Sequence, residues 1–225
     1  MDEWWTYTLS DFLLFSPRTY YRLLERHNQS VWPAHLLTVG LGLGILLLVS
    51  RSTGGPGRVI SAAVAALWAW VAWSFLWQRY ATINWAATYF AWLFAVQVLL
   101  LVWVGVARKS LRYRVRRDAA GWAGTILFGL ALAVYPLLAP LVGRPSQQAE
   151  VFGIVPDPTV LGTLALLLMV EGRPRWGLLV IPVLWCAVAG ATLWAMGSPE
   201  APVPPLAALA VLVVSARQAL RPAQR

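Results

Sequence analysis

Asp157 is the acidic residue whose surroundings in the sequence most favour a chemical role. It lies between two prolines in the segment FGIVPDPT (152–159), directly before an apolar run. An ionisable side chain inside a membrane segment is costly, and such residues commonly mark ion, proton or substrate sites. Asp157 is therefore the first candidate for a functional carboxylate.

The same sequence also predicts a purely structural role for Asp157. Pro158 suits the first position of a helix, and Asp157 suits the N-cap position before it. In that arrangement the carboxylate accepts hydrogen bonds from backbone N–H groups near Val160. Both interpretations stay open at this point: a cap alone, or a cap that also has a function.

Four further polar residues lie in or beside apolar runs and could face the same site. They are Thr159, Gln97, Tyr135 and His35. The alternative for Gln97 and Tyr135 is an interhelical hydrogen bond, which is the commoner fate of such side chains in membranes. For His35 the alternative is a histidine satisfied at the membrane interface, since a lone imidazole is a weak ligand signal.

The sequence contains no constellation typical of metal binding or covalent catalysis. Cys186 is the only cysteine and there are two histidines, so we expect neither an internal disulfide nor a Cys/His metal cluster. Glycine-rich nucleotide motifs, a serine nucleophile elbow and an HExxH zinc motif are also absent. We expect no cofactor and no enzymatic activity.

Tryptophan is abundant, with 14 residues in the chain. Trp77 and Trp85 are predicted to belong to an aromatic belt at the membrane surface. Trp70, Trp73 and Trp92 are predicted to form a deeper cluster, whose faces could hold a quinone, a pigment or a cation. The alternative is ordinary packing of these rings against each other.

The composition of the chain is that of a membrane protein. Hydrophobic residues make up 59% of the chain and charged residues only 12%, against roughly 25% charged in a soluble domain. We predict an all-α integral membrane protein with about seven transmembrane helices. The predicted apolar spans are 32–50, 59–77, 85–106, 121–142, 159–170, 176–196 and 205–216.

Two of these spans, 159–170 and 205–216, are too short to cross the bilayer. Each supplies about 18 Å of helix, whereas the hydrocarbon is about 30 Å thick. We therefore expect a discontinuous fifth helix, with 151–155 descending to it in extended form. Non-helical backbone at membrane depth needs protein or water around it, which predicts a water-accessible recess that opens outward near Asp157.

The N-terminal segment 1–31 is aromatic and polar in turn. Ser16 is a predicted N-cap and Pro17 the first residue of a helix that continues to His27. This helix could lie in the membrane interface, and the alternative is a cap packed on the loops of the bundle. We predict a transmembrane bundle over 32–217 and a cytoplasmic tail over 218–225.

Basic residues predict the orientation of the bundle and its partners. With seven spans, 13 of the 18 Lys and Arg residues fall on one side and 5 on the other, which predicts an outside N-terminus and a cytoplasmic C-terminus. The cations lie between apolar segments, so the net charge of +9 does not predict nucleic-acid binding. Gly40 and Gly44 have the small-xxx-small spacing of helix packing, which is compatible with self-association or with other membrane subunits.

The opening WWTYTLSDFLLFSPRTY (4–20) resembles the start of a bacterial multi-pass membrane family catalogued as a domain of unknown function. The segments FGIVPDPT (152–159) and LVIPVLW (179–185) are similar to that family too. The likeness therefore covers nearly the whole chain. It implies a location in the bacterial inner membrane and supplies no activity.

Two functional hypotheses follow from these features. The first is a small transporter or permease-like protein with an outward-facing recess near Asp157. The alternative is a non-catalytic accessory or structural subunit that docks on a larger membrane complex through its aromatic N-terminal segment and glycine-rich helices. A polar, water-connected cavity at Asp157 would favour transport, whereas a dry core beneath a broad apolar face would favour the subunit.

Overall fold

The structure is a computed structural model that describes residues 14–51 and 56–220. Its α-helices are α1 (Pro17–Ser30), α2 (Ala34–Arg51), α3 (Gly57–Val71), α4 (Ala87–Leu101), α5 (Ala119–Gly129), α6 (Tyr135–Leu141), α7 (Pro156–Leu168), α8 (Trp176–Ala195) and α9 (Val203–Leu220). Segments of π-helix extend α3 (Ala72–Trp77) and α4 (Val102–Ala107) and join α5 to α6 (Leu130–Val134). The only β-type pairing in the described residues is an isolated bridge between Tyr113 and Val170.

Six helical stretches in the described residues are long and apolar enough to cross a membrane. They are Ala34–Arg51, Gly57–Thr82, Ala87–Ala107, Ala119–Leu141, Trp176–Ala195 and Val203–Leu220. The predicted fold class, an all-α membrane protein, is thereby confirmed. The predicted shortness of the last span is wrong: α9 has 18 residues. It begins two residues earlier, because Pro204 and Pro205 fit in its first turn, where no backbone N–H is needed, and it continues through residues 217–220 beyond the apolar run.

Helix α7 lies at the centre of the bundle. It has 13 residues, and every one of them is buried. It packs against α3, α5, α8 and α9, and a Cβ placed on Gly124 of α5 would lie only 2.8 Å from the backbone oxygen of Ala165. The short fifth helix predicted from the sequence is therefore surrounded by protein rather than by lipid.

One end of the bundle, which we call the basic end, joins the loops that follow α4 and α7. The backbone N–H of Arg114 donates to Met169 O at 3.0 Å, and that of Glu171 donates to Arg112 O at 2.8 Å. The Arg175 side chain reaches Ser110 O at 3.2 Å. The two loops therefore lie side by side at the same end, where most of the basic residues of the described chain are found.

The opposite end, which we call the capped end, is covered by α1. Ser16 accepts a hydrogen bond from the Thr19 N–H at 3.2 Å, and Pro17 opens the helix, so the predicted N-cap is confirmed. The Tyr21 hydroxyl hydrogen-bonds Ser198 Oγ at 2.7 Å, and Asn28 donates to Gln147 O at 2.8 Å. Helix α1 thus packs on the loops before α7 and α9.

This contact agrees with the alternative in which the N-terminal segment caps the bundle. Phe15, directly before α1, also packs on the bundle: its ring stacks on Tyr20 at 5.8 Å and meets Tyr80 edge to face at 5.7 Å. The predicted interfacial segment also includes Leu14, which is 57% exposed, and Trp4, Trp5, Phe12 and Leu13, which lie outside the described residues.

Candidate functional site

Asp157 is the second residue of α7 and not its N-cap. The helix begins at Pro156, and the N-cap residue is Val155, in an extended conformation with φ −127° and ψ 162°. Two prolines flank Asp157, and either suits the first turn; an extended residue is also what normally precedes proline. The predicted capping contact near Val160 is therefore wrong, because no side chain caps α7.

The carboxylate of Asp157 is instead held by two side chains from other helices. The indole Nε1–H of Trp185 in α8 donates to Oδ1 at 2.7 Å, and the Tyr135 hydroxyl, at the start of α6, donates to Oδ2 at 3.2 Å. Asp157 is only 3% exposed. Within the described residues no cation pairs with this carboxylate, so two neutral donors replace the water that burial removes.

The segment before α7 is a tight turn, and the predicted extended descent is wrong. The Ile154 N–H donates to Val151 O at 3.0 Å, and Gly153 has φ +75°, a conformation that favours glycine. The Gly153 N–H donates to Thr159 Oγ1 at 2.8 Å, and that hydroxyl donates to Val155 O at 2.7 Å. Thr159 therefore closes the turn that places Asp157.

The predicted water-accessible recess at Asp157 is wrong for this conformation. The cavity beside the carboxylate has a volume of about 10 Å³, roughly what a single water needs. Tyr20 of α1 and Tyr80, after α3, line it, and their rings meet edge to face at 5.7 Å. The two tyrosines separate Asp157 from the capped end.

Three further charged residues, not predicted as site residues, lie in the loops at the capped end. Arg144 forms an ion pair with the buried Glu200, and its guanidinium lies 4.2 Å from the centre of the Tyr21 ring. Glu150 is 4% exposed. Burial raises the pKa of Glu150 well above its usual range, the charge of Asp157 raises it further, and Arg144 opposes the shift.

These carboxylates do not form a metal site in the described part of the chain. No three His, Cys, Asp or Glu side chains of residues 14–51 and 56–220 are grouped so that they could hold a metal ion. Together they form a group of buried acidic side chains near one arginine, Arg144. A sequence signal for Glu150 and Glu200 does exist, since both are isolated acids in short loops between apolar runs.

Two of the predicted polar residues lie away from Asp157. His35 Nε2 is 3.2 Å from Asn28 Oδ1, which is the local hydrogen bond expected of an interfacial histidine. Gln97 is fully buried and donates to Leu178 O at 3.1 Å, an interhelical hydrogen bond, while its Oε1 has no hydrogen-bond partner. Of the predicted candidates, the structure brings only Tyr135 to the Asp157 carboxylate.

The predicted tryptophan cluster has a different membership. A groove of about 540 Å³ on the outer surface of α3 and α4 is lined by Trp73, Trp77 and Trp92, with alanines at its base. Trp77 and Trp92 meet edge to face at 6.0 Å. Trp70 does not line the groove.

The predicted glycine packing face makes no contact within the described chain. A Cβ on Gly40 or Gly44 would meet no atom within 4 Å. Gly42 is the close-packed glycine of α2, since a Cβ there would lie 2.6 Å from Leu132 Cδ1 and 3.3 Å from the Phe152 ring. Packing of Gly40 and Gly44 against another chain stays a prediction.

Comparison with known proteins assigns a family. No curated protein and no solved structure matches the chain significantly. A family model described as a family of unknown function, DUF6064, matches residues 18–224. That match covers α1, all the long apolar helices and the turn that carries Asp157. The chain therefore belongs to the DUF6064 family, a family of unknown function.

Proposed function

We propose that this protein is a small, permease-like transporter whose transport cycle is coupled to protonation of Asp157. The observation that carries this proposal is a carboxylate, 3% exposed, that only two neutral donors hold inside the helix bundle. A buried charge without a cation is expensive, and packing alone would be served by an apolar residue at the same position. The proposal assigns no chemical reaction to the protein.

The two donors respond differently when Asp157 takes up a proton. A protonated carboxyl group has a hydrogen to donate, and the Tyr135 hydroxyl can reverse its role and accept it. The Trp185 indole can only donate. Protonation therefore acts mainly on Tyr135, which begins α6 directly after the π-helical segment Leu130–Val134.

The route to Asp157 is from the capped end. Glu150, Glu200 and Arg144 lie in the loops at that end. The charge of Asp157 contributes to the raised pKa of Glu150. Tyr20 and Tyr80 close the route, with about 10 Å³ left beside the carboxylate. A cavity this small meets the criterion stated for the subunit and not the one stated for transport, so the transport proposal treats this conformation as closed. It requires α1 to move away from the end of α8 when the site opens.

Opening can be measured by thiol labelling in nanodiscs, without knowledge of the solute. In a Cys186→Ser background, Ala189→Cys places a thiol in the wall of the cavity. Ala208→Cys is the matched control, because Ala208 is as buried as Ala189, at 4% and 6%, and lies at a similar distance from the capped end of its helix. A membrane-impermeant thiol reagent is the probe.

The measured quantity is the ratio of the labelling rate of Ala189→Cys to that of Ala208→Cys. We expect this ratio to rise by roughly threefold or more as pH is lowered from 8 to 5.5, through the range in which a buried carboxyl group titrates. Asp157→Asn should abolish this pH dependence, because the amide binds no proton. If both cysteines respond equally to pH, the site does not open on protonation and the proposal fails.

A second candidate function, an accessory subunit of a membrane complex, is favoured by α2. This helix has few neighbours in the bundle, and Leu37 is 74% exposed. Gly40 and Gly44 present an open, small-residue face to the lipid. A partner helix or a second copy could pack closely there.

Substitution of these glycines tests the subunit hypothesis. Gly40→Leu with Gly44→Leu should reduce the size of the complex on native gels of gently solubilised membranes and leave the melting temperature of the isolated chain unchanged. Gly42→Leu, by contrast, should lower the melting temperature, because Leu132 and Phe152 fill its space. An unchanged complex size in the double variant would exclude this face as a docking surface.

We further propose that the membrane is a bacterial inner membrane and that the capped end faces outward. Support comes from the resemblance of segment 4–20 and from the excess of basic residues at the basic end, which in such membranes faces the cytoplasm.

A further inference from the structure

A pocket of about 330 Å³ lies at the capped end, between α1 and the turn that follows α3. It is separate from the cavity at Asp157. Its wall is about half polar and carries no acidic side chain. The residues that line it are Thr19, Arg22, Leu23, Arg26, Gln78, Arg79, Thr82 and Ile83.

Three arginines from two different elements converge on this pocket. Arg22 and Arg26 lie one turn apart on α1, and Arg79 follows the π-helical end of α3. None of the three forms a salt bridge with a carboxylate of residues 14–51 and 56–220. Like charges repel unless an anion lies between them, and the planar guanidinium group suits phosphate, which it can bind through two parallel hydrogen bonds.

The depth of the pocket favours a lipid as the source of that phosphate. Trp77 immediately precedes Gln78, and Trp85 follows Ile83 by two positions; both rings are exposed, at 41% and 64%. Exposed tryptophans at the ends of spans lie at the level of the lipid headgroups. Leu23 and Ile83 add apolar surface to the wall of the same pocket.

We propose that this pocket binds the phosphate of an anionic membrane lipid through Arg22, Arg26 and Arg79. The bound headgroup joins α1 to the end of α3 and so holds the cap in place over the bundle. The pocket includes neither Asp157 nor its cavity, so its test does not depend on transport; a lipid that holds α1 in place would oppose the movement of α1 that the transport proposal requires.

The test uses the full-length protein in detergent and native mass spectrometry, with phosphatidylglycerol and phosphatidylcholine as the probes. Wild type should retain one phosphatidylglycerol with at least about tenfold preference over phosphatidylcholine, as expected of charge-assisted hydrogen bonds. Arg26→Gln and Arg79→Gln should each remove most of that preference. Arg18→Gln is the matched control, because Arg18 is an exposed arginine of α1 that does not line the pocket.

Three results would overturn the proposal. Equal retention of phosphatidylglycerol and phosphatidylcholine by wild type would show that the pocket does not recognise an anionic headgroup. An equal loss in Arg18→Gln and Arg79→Gln would show attraction to net charge alone. If wild type binds inorganic phosphate but prefers neither lipid, the pocket is a site for free phosphate and not for a lipid. Melting temperatures in phosphatidylcholine identify any variant that is misfolded.

Discussion

Tyr135 and Trp185 hold the two oxygens of Asp157, and each can be removed without touching the carboxylate. Tyr135→Phe should lower the free energy of unfolding by roughly 1–3 kcal/mol, because one oxygen loses its buried donor. Trp185→Phe should cost more, since it also removes part of a packed ring. Chemical denaturation in detergent at pH 8 measures both.

Tyr89→Phe is the control for the hydroxyl, because Tyr89 is 64% exposed and its hydroxyl makes no hydrogen bond in the described structure. If Tyr135→Phe is as stable as Tyr89→Phe, the hydrogen bond to Asp157 does not stabilise the fold.

His27 gives the capped end a dependence on pH. It is fully buried on α1, its Nε2–H donates to Ile154 O at 3.3 Å, and burial lowers the pKa of His27 to about 4, with Arg79 and His35 adding to the shift. Between about pH 6.5 and 4 the unfolded chain binds a proton that the folded chain does not. Stability should therefore fall as pH falls through this range.

Glu150 acts in the opposite direction over part of the same range. Its raised pKa means that the folded chain binds a proton more readily than the unfolded chain, so acidification stabilises the fold. We expect His27→Gln, which keeps an N–H donor, to flatten the acid loss of melting temperature between pH 7 and 5, and Glu150→Gln to steepen it. If the melting temperatures of wild type and both variants change by the same amount between pH 7 and 5, these assignments are wrong.

The helix start at Asp157 could be predicted from the sequence, but the partners of its carboxylate could not. An acid between two prolines before an apolar run indicates a buried helix start, and the structure places Asp157 in the first turn of α7, 3% exposed. Its donors come from α6 and α8, at positions 22 and 28 residues away. No local pattern links them, and the choice between Pro156 and Pro158 as the first helical residue depends on the same tertiary contacts.

At the scale of helices, α5 provides a matched pair of glycines. A Cβ on Gly124 would lie 2.8 Å from Ala165 O and from Met169 Cγ, whereas a Cβ on Gly129 would meet nothing within 4 Å. Gly124→Ala should lower the free energy of unfolding by roughly 1–3 kcal/mol, because α5 must move away from α7. Gly129→Ala should be neutral or stabilising by up to about 1 kcal/mol.

The melting temperatures of Gly124→Ala and Gly129→Ala, measured in the same detergent, test this expectation. Equal melting temperatures would mean that α5 and α7 do not approach as closely as the structure indicates.

Helix boundaries were predictable where apolar runs and caps agree, as at Ser16 and Pro17. They were not predictable where helix geometry changes within a run. The π-helical segments Ala72–Trp77, Val102–Ala107 and Leu130–Val134 look like ordinary apolar sequence, yet they change which side chains face the core.

For the whole molecule, the orientation is the property most open to a direct test. In a Cys186→Ser background, Ser146→Cys lies at the capped end and Arg117→Cys at the basic end, and both positions are exposed. An impermeant thiol reagent added to intact cells should label Ser146→Cys only. Labelling of Arg117→Cys alone would reverse the proposed orientation, and lysed cells, in which both should react, provide the control.

The enclosure of α7 also constrains how the chain is made. With 13 residues, all of them buried, α7 is too short to enter lipid on its own, and two of its neighbours, α8 and α9, leave the ribosome after it. We therefore expect the segment 142–175 to insert only after α8 and α9 have been synthesised. A chain that ends at residue 175 should leave a cysteine at Thr163 reactive towards an impermeant reagent, whereas the full chain should protect it; protection in both would mean that α7 inserts unaided. Asp157 would then reach its place last, as the bundle closes around a segment synthesised before its surroundings.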